Sequence, residues 1–424
     1  MKRFLAFALV VLMFFSFAAC SGNKDSENDT TTSAPDTTAG TDIDTDADTA
    51  VDGNVTTEPS AEADTTLSSV IKPSATVKPN KPQPSKPNSS KDEPTTDKKY
   101  DLSETDPEKI IVSAKKEMIF TVQPTPACHA STVLPLDNET VVAAWFAGTS
   151  EGENDVNILT SVRSKDGIWG TPIQVSADAN TAHWNPVLFQ RTDGTIVLYF
   201  KVGTATDYWK TYYATSTNGR SWSTPRELVP GDNSGGIGPV KNKPLRLKNG
   251  TVLAPSSTEI NGEWKAHIDI SYDDGRTWTK TPDIKAGNVK MIQPTLWQSA
   301  DGSVHMFTRT DSGKIYRSDS TDNGKTWSDA YATNIPNNNS GIDLDVDGAG
   351  RIFLAYNNTS IPGIRTPLSL AVSLDDGQTF TKILTFERGL AEYSYPAIVI
   401  KGDTIHITYT YERDYIAYWQ IKIK

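Results

Sequence analysis

The stretch Ser271–Trp278, which reads SYDDGRTW, is the sharpest of five copies of one motif in this 424-residue chain. Asp and Gly favour a tight turn, Ser and Asp side chains bond the turn's own backbone, and the final aromatic ring packs beneath it. The motif therefore predicts a β-hairpin. The other copies, whose aromatic ends lie about 50 residues apart, are Ser164–Trp169, Thr215–Trp222, Ser320–Trp327 and Ser373–Phe380.

A second periodic signal is a pair of apolar runs joined by an Asp, Asn or Gly turn. Six copies fill residues 107–424, a length per copy that fits four short strands, and no helical periodicity of useful length interrupts them. Radial repetition of four-stranded sheets makes a β-propeller. The sequence thus predicts an all-β, six-bladed β-propeller, closed by pairing Ile110–Ala114 or Met118–Val122 with Ala417–Lys424. The copies begin near His129, Asn185, Asn242, Gln293, Gly341 and Ser394.

Composition separates this domain from the residues before it. The segment Ser21–Lys99 contains no Phe, Trp or Tyr, so it cannot bury enough apolar surface to offset its ordering entropy. Residues Ser21–Asp106 carry 18 acids and 8 lysines, most of the chain's net charge of −11. No basic stripe marks a nucleic-acid partner. Two cysteines, Cys20 and Cys128, exclude a disulfide framework and a cysteine-built metal site.

The first residues form a targeting segment. Lys2 and Arg3 precede the apolar run Phe4–Phe17, which is typical of a secretory signal. The small residues before Cys20 resemble the lipobox of bacterial lipoproteins, which implies two acyl chains on Cys20 and an anchor on the extracellular face of the cell membrane. The alternative is an ordinary cleavage site. We therefore expect a signal peptide at residues 1–19, a lipidated Cys20 with a disordered linker at 20–106, and the propeller at 107–424.

The turn motif at this spacing resembles the Asp-box repeats of the sialidase (neuraminidase) superfamily, across the whole domain from about His129. A further set of peptides is similar to a bacterial branch described as predicted neuraminidases. The resemblance implies a six-bladed propeller with exo-glycosidase activity on terminal acidic sugars, sialic acid first. The peptides are 128–132 (CHAST), 242–244 (NKP), 254–259 (APSSTE), 339–343 (NSGID) and 394–397 (SYPA).

The resemblance also implies how the sugar's carboxylate is held. Sialidases use three arginines, because a planar guanidinium matches a carboxylate bidentately. Arg309 and Arg365 resemble the second and third of them in placement, whereas His129 stands where the first is expected. The starts of the six strand pairs should converge around the axis. They contribute His129, Asn185, Lys241 or Lys243, Gln293, Asp343 and Tyr395.

The catalytic residues follow from the same resemblance. Tyr395 matches the nucleophilic tyrosine, with Tyr393 as the alternative if the register slips by two. The family pairs this tyrosine with a glutamate base, but the matching residue here is Gln293, so Glu412 or Glu259 would have to substitute. The family's general acid is an aspartate on a blade-one loop. Here that loop offers Asp155, which we favour, and Glu151.

Two other functions remain open on the same scaffold. A polysaccharide lyase, or another enzyme directed at uronic acids, would use His129 and Tyr395 as base and acid beside a carboxylate neutralised by arginine. A non-catalytic propeller would only bind glycans, since fold does not dictate function. The five histidines of the chain show no metal-ligand spacing. We expect no cofactor, a glycan as the substrate, the membrane as a partner through Cys20, and a monomer.

Overall fold

The repeated strand pairs form six four-stranded antiparallel sheets in the computed structural model, which describes residue 102 and residues 105–177 and 180–424. The predicted six-bladed propeller is therefore confirmed. The signal segment, Cys20 and nearly all of the linker lie outside the described residues. Short 3-10 turns occur at Pro107–Lys109 and Thr206–Tyr208. No helix in the described ranges is long and apolar enough to cross a membrane.

The ring is closed by the first strand, β1 (Ile111–Met118), which supplies the outer strand of the last blade. It pairs antiparallel with β24 (Tyr415–Ile423), from Ile111 opposite Ile423 to Met118 opposite Ala417. The predicted closure by an N-terminal strand is thus confirmed. The strand covers most of the first predicted segment and reaches the start of the second.

The remaining strands follow in chain order, four to each of the first five blades and three to the sixth. Blades 1 and 2 comprise β2 (Ala127–Pro135), β3 (Val141–Gly148), β4 (Asn157–Arg163), β5 (Ile173–Val175), β6 (His183–Gln190), β7 (Ile196–Val202), β8 (Lys210–Ser216) and β9 (Arg226–Glu227). Blades 3 and 4 comprise β10 (Leu245–Arg246), β11 (Val252–Ile260), β12 (Glu263–Ser271), β13 (Thr279–Lys280), β14 (Met291–Gln298), β15 (Val304–Thr310), β16 (Lys314–Ser320) and β17 (Tyr331–Pro336). Blades 5 and 6 comprise β18 (Asp343–Val346), β19 (Ile352–Asn357), β20 (Leu368–Ser373), β21 (Thr381–Glu387), β22 (Tyr393–Lys401) and β23 (Thr404–Tyr411), with β24 and β1.

The motif that opened the sequence forms the turn between the third and fourth strands of a blade. In the copy at Ser271–Trp278, the Gly275 N–H donates to Ser271 Oγ at 2.8 Å, and Thr277 Oγ1 donates to Asp273 Oδ2 at 2.6 Å. Gly275 has a φ of 78°, which a side chain would disfavour. Trp278 is buried against Tyr199 of the preceding blade. Each such turn therefore fastens two neighbouring blades.

Apolar clusters fill the space between adjacent blades, so the core is a ring rather than a single centre. Each cluster joins side chains on the facing surfaces of two neighbouring blades, as expected for sheets packed face to face. Representative pairs, one for each neighbouring pair of blades, are Phe146 with Leu198, Tyr199 with Val252, Leu253 with Met306, Phe307 with Leu354, Phe353 with Ile407, and Tyr418 with Trp145.

Strand direction decides which loops can meet over the axis. The innermost strand of each blade starts at one face of the ring, which we call the pocket face. Because successive strands are antiparallel, the loops between second and third strands return to this face. The turns between third and fourth strands, with the Asp boxes, lie at the other face. Residues on the second-to-third loops of different blades are therefore placed around one site.

Candidate functional site

A β-bulge shared by four innermost strands shapes the centre of the pocket face. In β2, β6, β14 and β22 two residues stand opposite one on the neighbouring strand. The first bulge residue has a positive φ in each case, and such a bulge re-aims its side chain. The residues are Ala130 (54°), Asn185 (42°), Gln293 (55°) and Tyr395 (55°). Gln293 and Tyr395 meet across the axis, where Gln293 Nε2 donates to the Tyr395 hydroxyl at 3.3 Å.

Lys241 plugs the channel beneath these residues. Its buried ammonium donates to the carbonyls of Ile342 at 2.8 Å and Pro396 at 2.5 Å, and so ties blade 3 to blades 5 and 6. Burial lowers the pKa of Lys241 to about 7, against the opposing effect of Asp343. A Cβ on Gly341 would lie 2.9 Å from Cε of this lysine. The absence of a side chain at Gly341 therefore makes room for the plug.

Tyr395 is the residue on which the positive groups of the site converge. Nη1 of Arg309 donates to the Tyr395 hydroxyl at 2.6 Å and to Gln293 Oε1 at 3.1 Å. The guanidinium carbon of Arg365 lies 5.4 Å from the centre of the Tyr395 ring. The two arginines predicted to hold a carboxylate therefore both lie against the predicted nucleophile, which is itself buried.

A third arginine, Arg413, completes this group and was missed in the sequence. One oxygen of Glu392 accepts from Arg413 Nε at 2.8 Å and from Arg365 Nη1 at 2.7 Å, so a single carboxylate positions two guanidiniums. Arg413 lies in the turn between β23 and β24, and it lines a small cavity with His129. Arg413 follows the second strand of blade 6, and Arg309 lies near the end of the second strand of blade 4. This similar position in the repeat was the sequence signal that could have identified Arg413.

His129 lies in the same cluster but carries no positive charge there. Its ring is 4.2 Å from that of Tyr395, centre to centre, and Nδ1 is 2.8 Å from the hydroxyl of Thr410. Burial lowers the pKa of His129 well below its usual value, and Arg413, Arg365, Arg309 and Lys241 lower it further. The imidazole is therefore neutral at physiological pH, and Arg413, which lines the same small cavity, is a positive group close to it.

The favoured general acid, Asp155, lies on the predicted loop but is exposed. Both of its oxygens accept from Thr149, with Thr149 Oγ1 at 2.5 Å from Oδ2. These hydrogen bonds lower the pKa of Asp155, whereas a general acid needs a raised one. Glu151, on the same loop, accepts from Nη1 of Arg413 at 2.5 Å.

The other carboxyl groups considered from sequence divide between two places. Glu412 Oε1 accepts from the hydroxyl of Tyr393 at 3.3 Å, so its hydrogen bond goes to the alternative tyrosine rather than to Tyr395. Glu259 is the penultimate residue of β11, near the pocket face. Burial raises the pKa of Glu259, although Arg309 opposes the shift. Of the acids on this face, Glu259 has the property that a proton donor requires.

Lys243 and Asp343, both predicted around the axis, bind each other instead of facing Tyr395. Lys243 Nζ lies 3.2 Å from Asp343 Oδ2. The same carboxylate accepts from Thr295 Oγ1 at 2.7 Å and from the Ile398 N–H at 3.0 Å. The pair therefore joins blades 3, 4, 5 and 6. The Asp343 carboxylate is engaged by Lys243, Thr295 and Ile398, so its role is structural.

The part of the chain that the structure describes contains no candidate metal site. No group of three or more His, Cys, Asp or Glu side chains there is arranged to hold an ion. Cys128 is buried and has no disulfide partner among the described residues, and burial raises the pKa of its thiol to about 12.

Comparison with known proteins places the chain in a family. The family described as BNR repeat-like domain matches residues 139–407. A search among curated proteins found no significant match.

Solved structures share the fold at low identity. A protein of unknown function from Dyadobacter fermentans is 17% identical, with a TM-score of 0.59 over 74% of this chain and 100% of that one. Hadza microbial sialidase Hz136 is 16% identical, with a TM-score of 0.60 over 70% of this chain and 66% of its own. Trypanosoma rangeli sialidase, solved with the inhibitor DANA, is 16% identical, with a TM-score of 0.59 over 73% and 60%.

The family match covers well over half of the chain, and the solved structures have the same propeller architecture. The chain therefore belongs to the family described as BNR repeat-like domain, and it shares its fold with solved sialidases.

Proposed function

We propose that this protein is an exo-glycosidase that releases terminal acidic sugars from glycans, with sialic acid as the first candidate. The observation that carries the proposal is a group of three arginines: Arg309 and Arg365 lie against the buried Tyr395, and Arg413 shares Glu392 with Arg365. Guanidinium groups suit a carboxylate, and they act strongly in a site with little water. Trypanosoma rangeli sialidase has been solved with sialic acid, which supports testing that sugar first.

In this proposal Tyr395 is the nucleophile. Its oxygen forms a bond to the anomeric carbon while the bond to the leaving oxygen breaks, and water then hydrolyses the intermediate with overall retention. A phenol suits this role because a carboxylate would be repelled by the anionic sugar. The N–H groups of Arg309 and Gln293 both donate to the Tyr395 oxygen. They would stabilise negative charge on it as it attacks and as it leaves.

A screen of the purified full-length protein tests the proposal. Fluorogenic sialosides report released sialic acid, and uronate polysaccharides report cleavage by ultraviolet absorbance and reducing ends. We expect release of sialic acid from the wild type and its loss in the Tyr395→Phe variant. A protein that cleaves neither class of substrate would contradict the enzymatic proposal. If it then retains acidic glycans on an array, it is a binding propeller.

A second candidate, a β-eliminating lyase for uronic-acid polymers, is favoured by one contact. The neutral imidazole of His129 lies against Tyr395, and a neutral amide, Gln293, stands where the family's glutamate is expected. In such a lyase the arginines would neutralise the uronate carboxylate, and His129 and Tyr395 would act as base and acid. Its product is an unsaturated uronate that absorbs in the ultraviolet, which a hydrolase does not form.

We also propose that a lipid on Cys20 anchors the protein to the extracellular face of the cell membrane. Lys2, Arg3 and the apolar run before Cys20 support this assignment, and two acyl chains suffice for stable anchoring. Expression of wild type and Cys20→Ala in a bacterium fed labelled fatty acid tests it. The wild type should take up label and sediment with membranes. Unlabelled wild type, or equal release of both forms into the medium, would contradict the anchor.

A further inference from the structure

We propose that Glu259, rather than an acid on the blade-one loop, is the proton donor to the leaving group of the glycoside. The inference rests on the proposed function and names a residue outside the loop where the resemblance places the acid. On that loop, Asp155 is exposed with both oxygens bonded by Thr149, and Glu151 is paired with Arg413. The two loop acids are thus engaged in holding the loop and an arginine.

Strand geometry puts Glu259 on the face of blade 3 that meets the reactive residues. Ser257 and Glu259 are two residues apart on β11, so they project from the same face. Ser257 Oγ accepts from the backbone N–H of Gln293 at 3.2 Å. This face therefore packs against the strand start that carries Gln293, and Glu259 lies beyond that contact, nearer the pocket face.

The neighbouring strand leads to the same conclusion. Trp264 of β12 stands directly opposite Glu259, and residues in register share a face. The guanidinium carbon of Arg309 lies 5.4 Å from the centre of the Trp264 ring, and the same arginine donates to the Tyr395 hydroxyl. Glu259 and Tyr395 are thus both neighbours of Arg309.

The surroundings of Glu259 favour its protonated form. Burial raises its pKa, and two acids that approach from other blades, Glu151 and Asp207, raise it further, while Arg309 lowers it. Asp207 belongs to the short turn before β8, and its Oδ1 accepts from the Asn261 N–H at 2.5 Å next to the end of β11. The acid is therefore held between charges contributed by blades 1, 2 and 4.

The chemical step is balanced as follows. As the bond from the anomeric carbon to the leaving oxygen breaks, its electron pair stays on that oxygen, and the Glu259 carboxyl transfers its proton there. Tyr395 forms the new bond to the anomeric carbon as its phenolate, since its hydroxyl proton first passes to bulk water and is taken back from water when the phenolate is released in the second step. In the second step a water molecule attacks the anomeric carbon, the bond to Tyr395 breaks, and the Glu259 carboxylate takes a proton from the water. Glu259 thus returns to its starting state.

The test compares two sialosides with the purified full-length protein. Nitrophenyl sialoside has a leaving group that departs without protonation, whereas sialyllactose needs an acid. We expect Glu259→Gln to lower kcat/KM for sialyllactose by roughly 10²- to 10⁴-fold, to leave kcat/KM for the nitrophenyl substrate largely unchanged, and to remove the basic limb of the wild-type pH profile. The second step still needs a base, so kcat for nitrophenyl sialoside should fall in Glu259→Ala, and azide should restore it because the anion can replace the base-assisted water.

The matched control is Glu263→Gln, the same change at an exposed residue of the same hairpin, which should leave both substrates and the pH profile unchanged. Wild-type melting of Glu259→Gln excludes misfolding, and the azide rescue gives a second reading if that variant melts early. Equal losses on both substrates, no loss on either, or the leaving-group dependence in Asp155→Asn instead would overturn the inference alone. A wild type that releases no sialic acid would overturn the proposed function and this inference together.

Discussion

Nη1 of Arg309 donates a 2.6 Å hydrogen bond to the hydroxyl of Tyr395, although the two residues are 86 positions apart on different blades. The bond places the permanent positive charge of the guanidinium group next to the oxygen proposed to attack the sugar. The same guanidinium is proposed to bind the sugar's carboxylate, so substrate binding and nucleophile stabilisation share one side chain. This sharing would link the affinity for an acidic sugar to the reactivity of Tyr395.

We expect Arg413→Gln to raise KM for an acidic glycoside by about tenfold or more, with a smaller effect on kcat. The reason is that Arg413 is the third charge of the proposed carboxylate site, and a charge-assisted hydrogen bond contributes about 1.5–3 kcal/mol. Steady-state kinetics measure the effect. Arg388→Gln, at an exposed arginine in the last loop of blade 5, is the control. Unchanged KM in Arg413→Gln would remove Arg413 from the site.

Gln293→Glu should raise kcat, because it puts a carboxylate beside the Tyr395 hydroxyl, where Gln293 Nε2 now donates at 3.3 Å. General-base assistance is worth about 10²- to 10⁴-fold when the base is well placed, so a gain of about tenfold is expected from a site not built around it. The pH dependence of kcat should then show an added acidic limb. A variant slower than wild type would mean that the neutral amide is itself required.

The close packing of Lys241 against Gly341 predicts that a side chain at position 341 is not tolerated. In Gly341→Ala the new Cβ would lie 2.9 Å from Cε of Lys241 and 3.4 Å from the Tyr395 ring. Overpacking of this kind costs about 1–3 kcal/mol, and displacement of Lys241 would also disturb Tyr395. Both the melting temperature and kcat should fall. Gly348→Ala is the matched control, because a Cβ there meets nothing within 4 Å, and equal behaviour of the two variants would contradict the plug.

Much of the fold could be predicted from sequence, because the same turn residues and the same apolar strand pairs recur in each blade. Asn185, Lys241, Gln293 and Tyr395 all lie near the start of their blades, as the repeat predicted, and the structure adds that each has a positive φ. In blade 1 the bulge residue with the positive φ is Ala130, so the predicted residue His129 lies one position before it.

The parts of the site that escaped prediction depend on contacts between particular side chains. Arg413 enters the site through Glu392, and the approach of these two residues is set by the pairing of β22 with β23. The environment of Asp155 depends on Thr149, and the burial of Glu259 depends on other blades. Periodicity cannot report such contacts, since it locates strands and turns but not which side chains meet.

Acid should destabilise the propeller through its Asp boxes. Burial alone would raise the pKa of Asp273, but hydrogen bonds from Thr277, Ser271 and Arg276 lower it to about 2. The pKa values of Asp322 and Asp375 are lowered in the same way. Because the folded-state pKa lies below the unfolded value of about 4, this stabilisation is present above about pH 4 and is lost as pH falls through the folded value.

Thermal melting between pH 5 and pH 2 measures this loss; the window follows from the lowered pKa of Asp273 and its ordinary value of roughly 4. The wild-type melting temperature should fall steadily through the window. Asp273→Asn should melt earlier than wild type at neutral pH but lose less as pH falls. Parallel curves for the two proteins would show that this carboxylate does not contribute to the acid sensitivity.

Covalent trapping tests the central claim, that Tyr395 bonds to an acidic sugar. Trypanosoma rangeli sialidase has been solved with 2,3-difluorosialic acid as a covalent intermediate, and the same reagent can be incubated with the full-length protein described here. Peptide mass spectrometry should then find one fluorosialyl group on the peptide that contains Tyr395, and none in Tyr395→Phe. An adduct on another residue, or no adduct on a protein that releases sialic acid, would contradict the account.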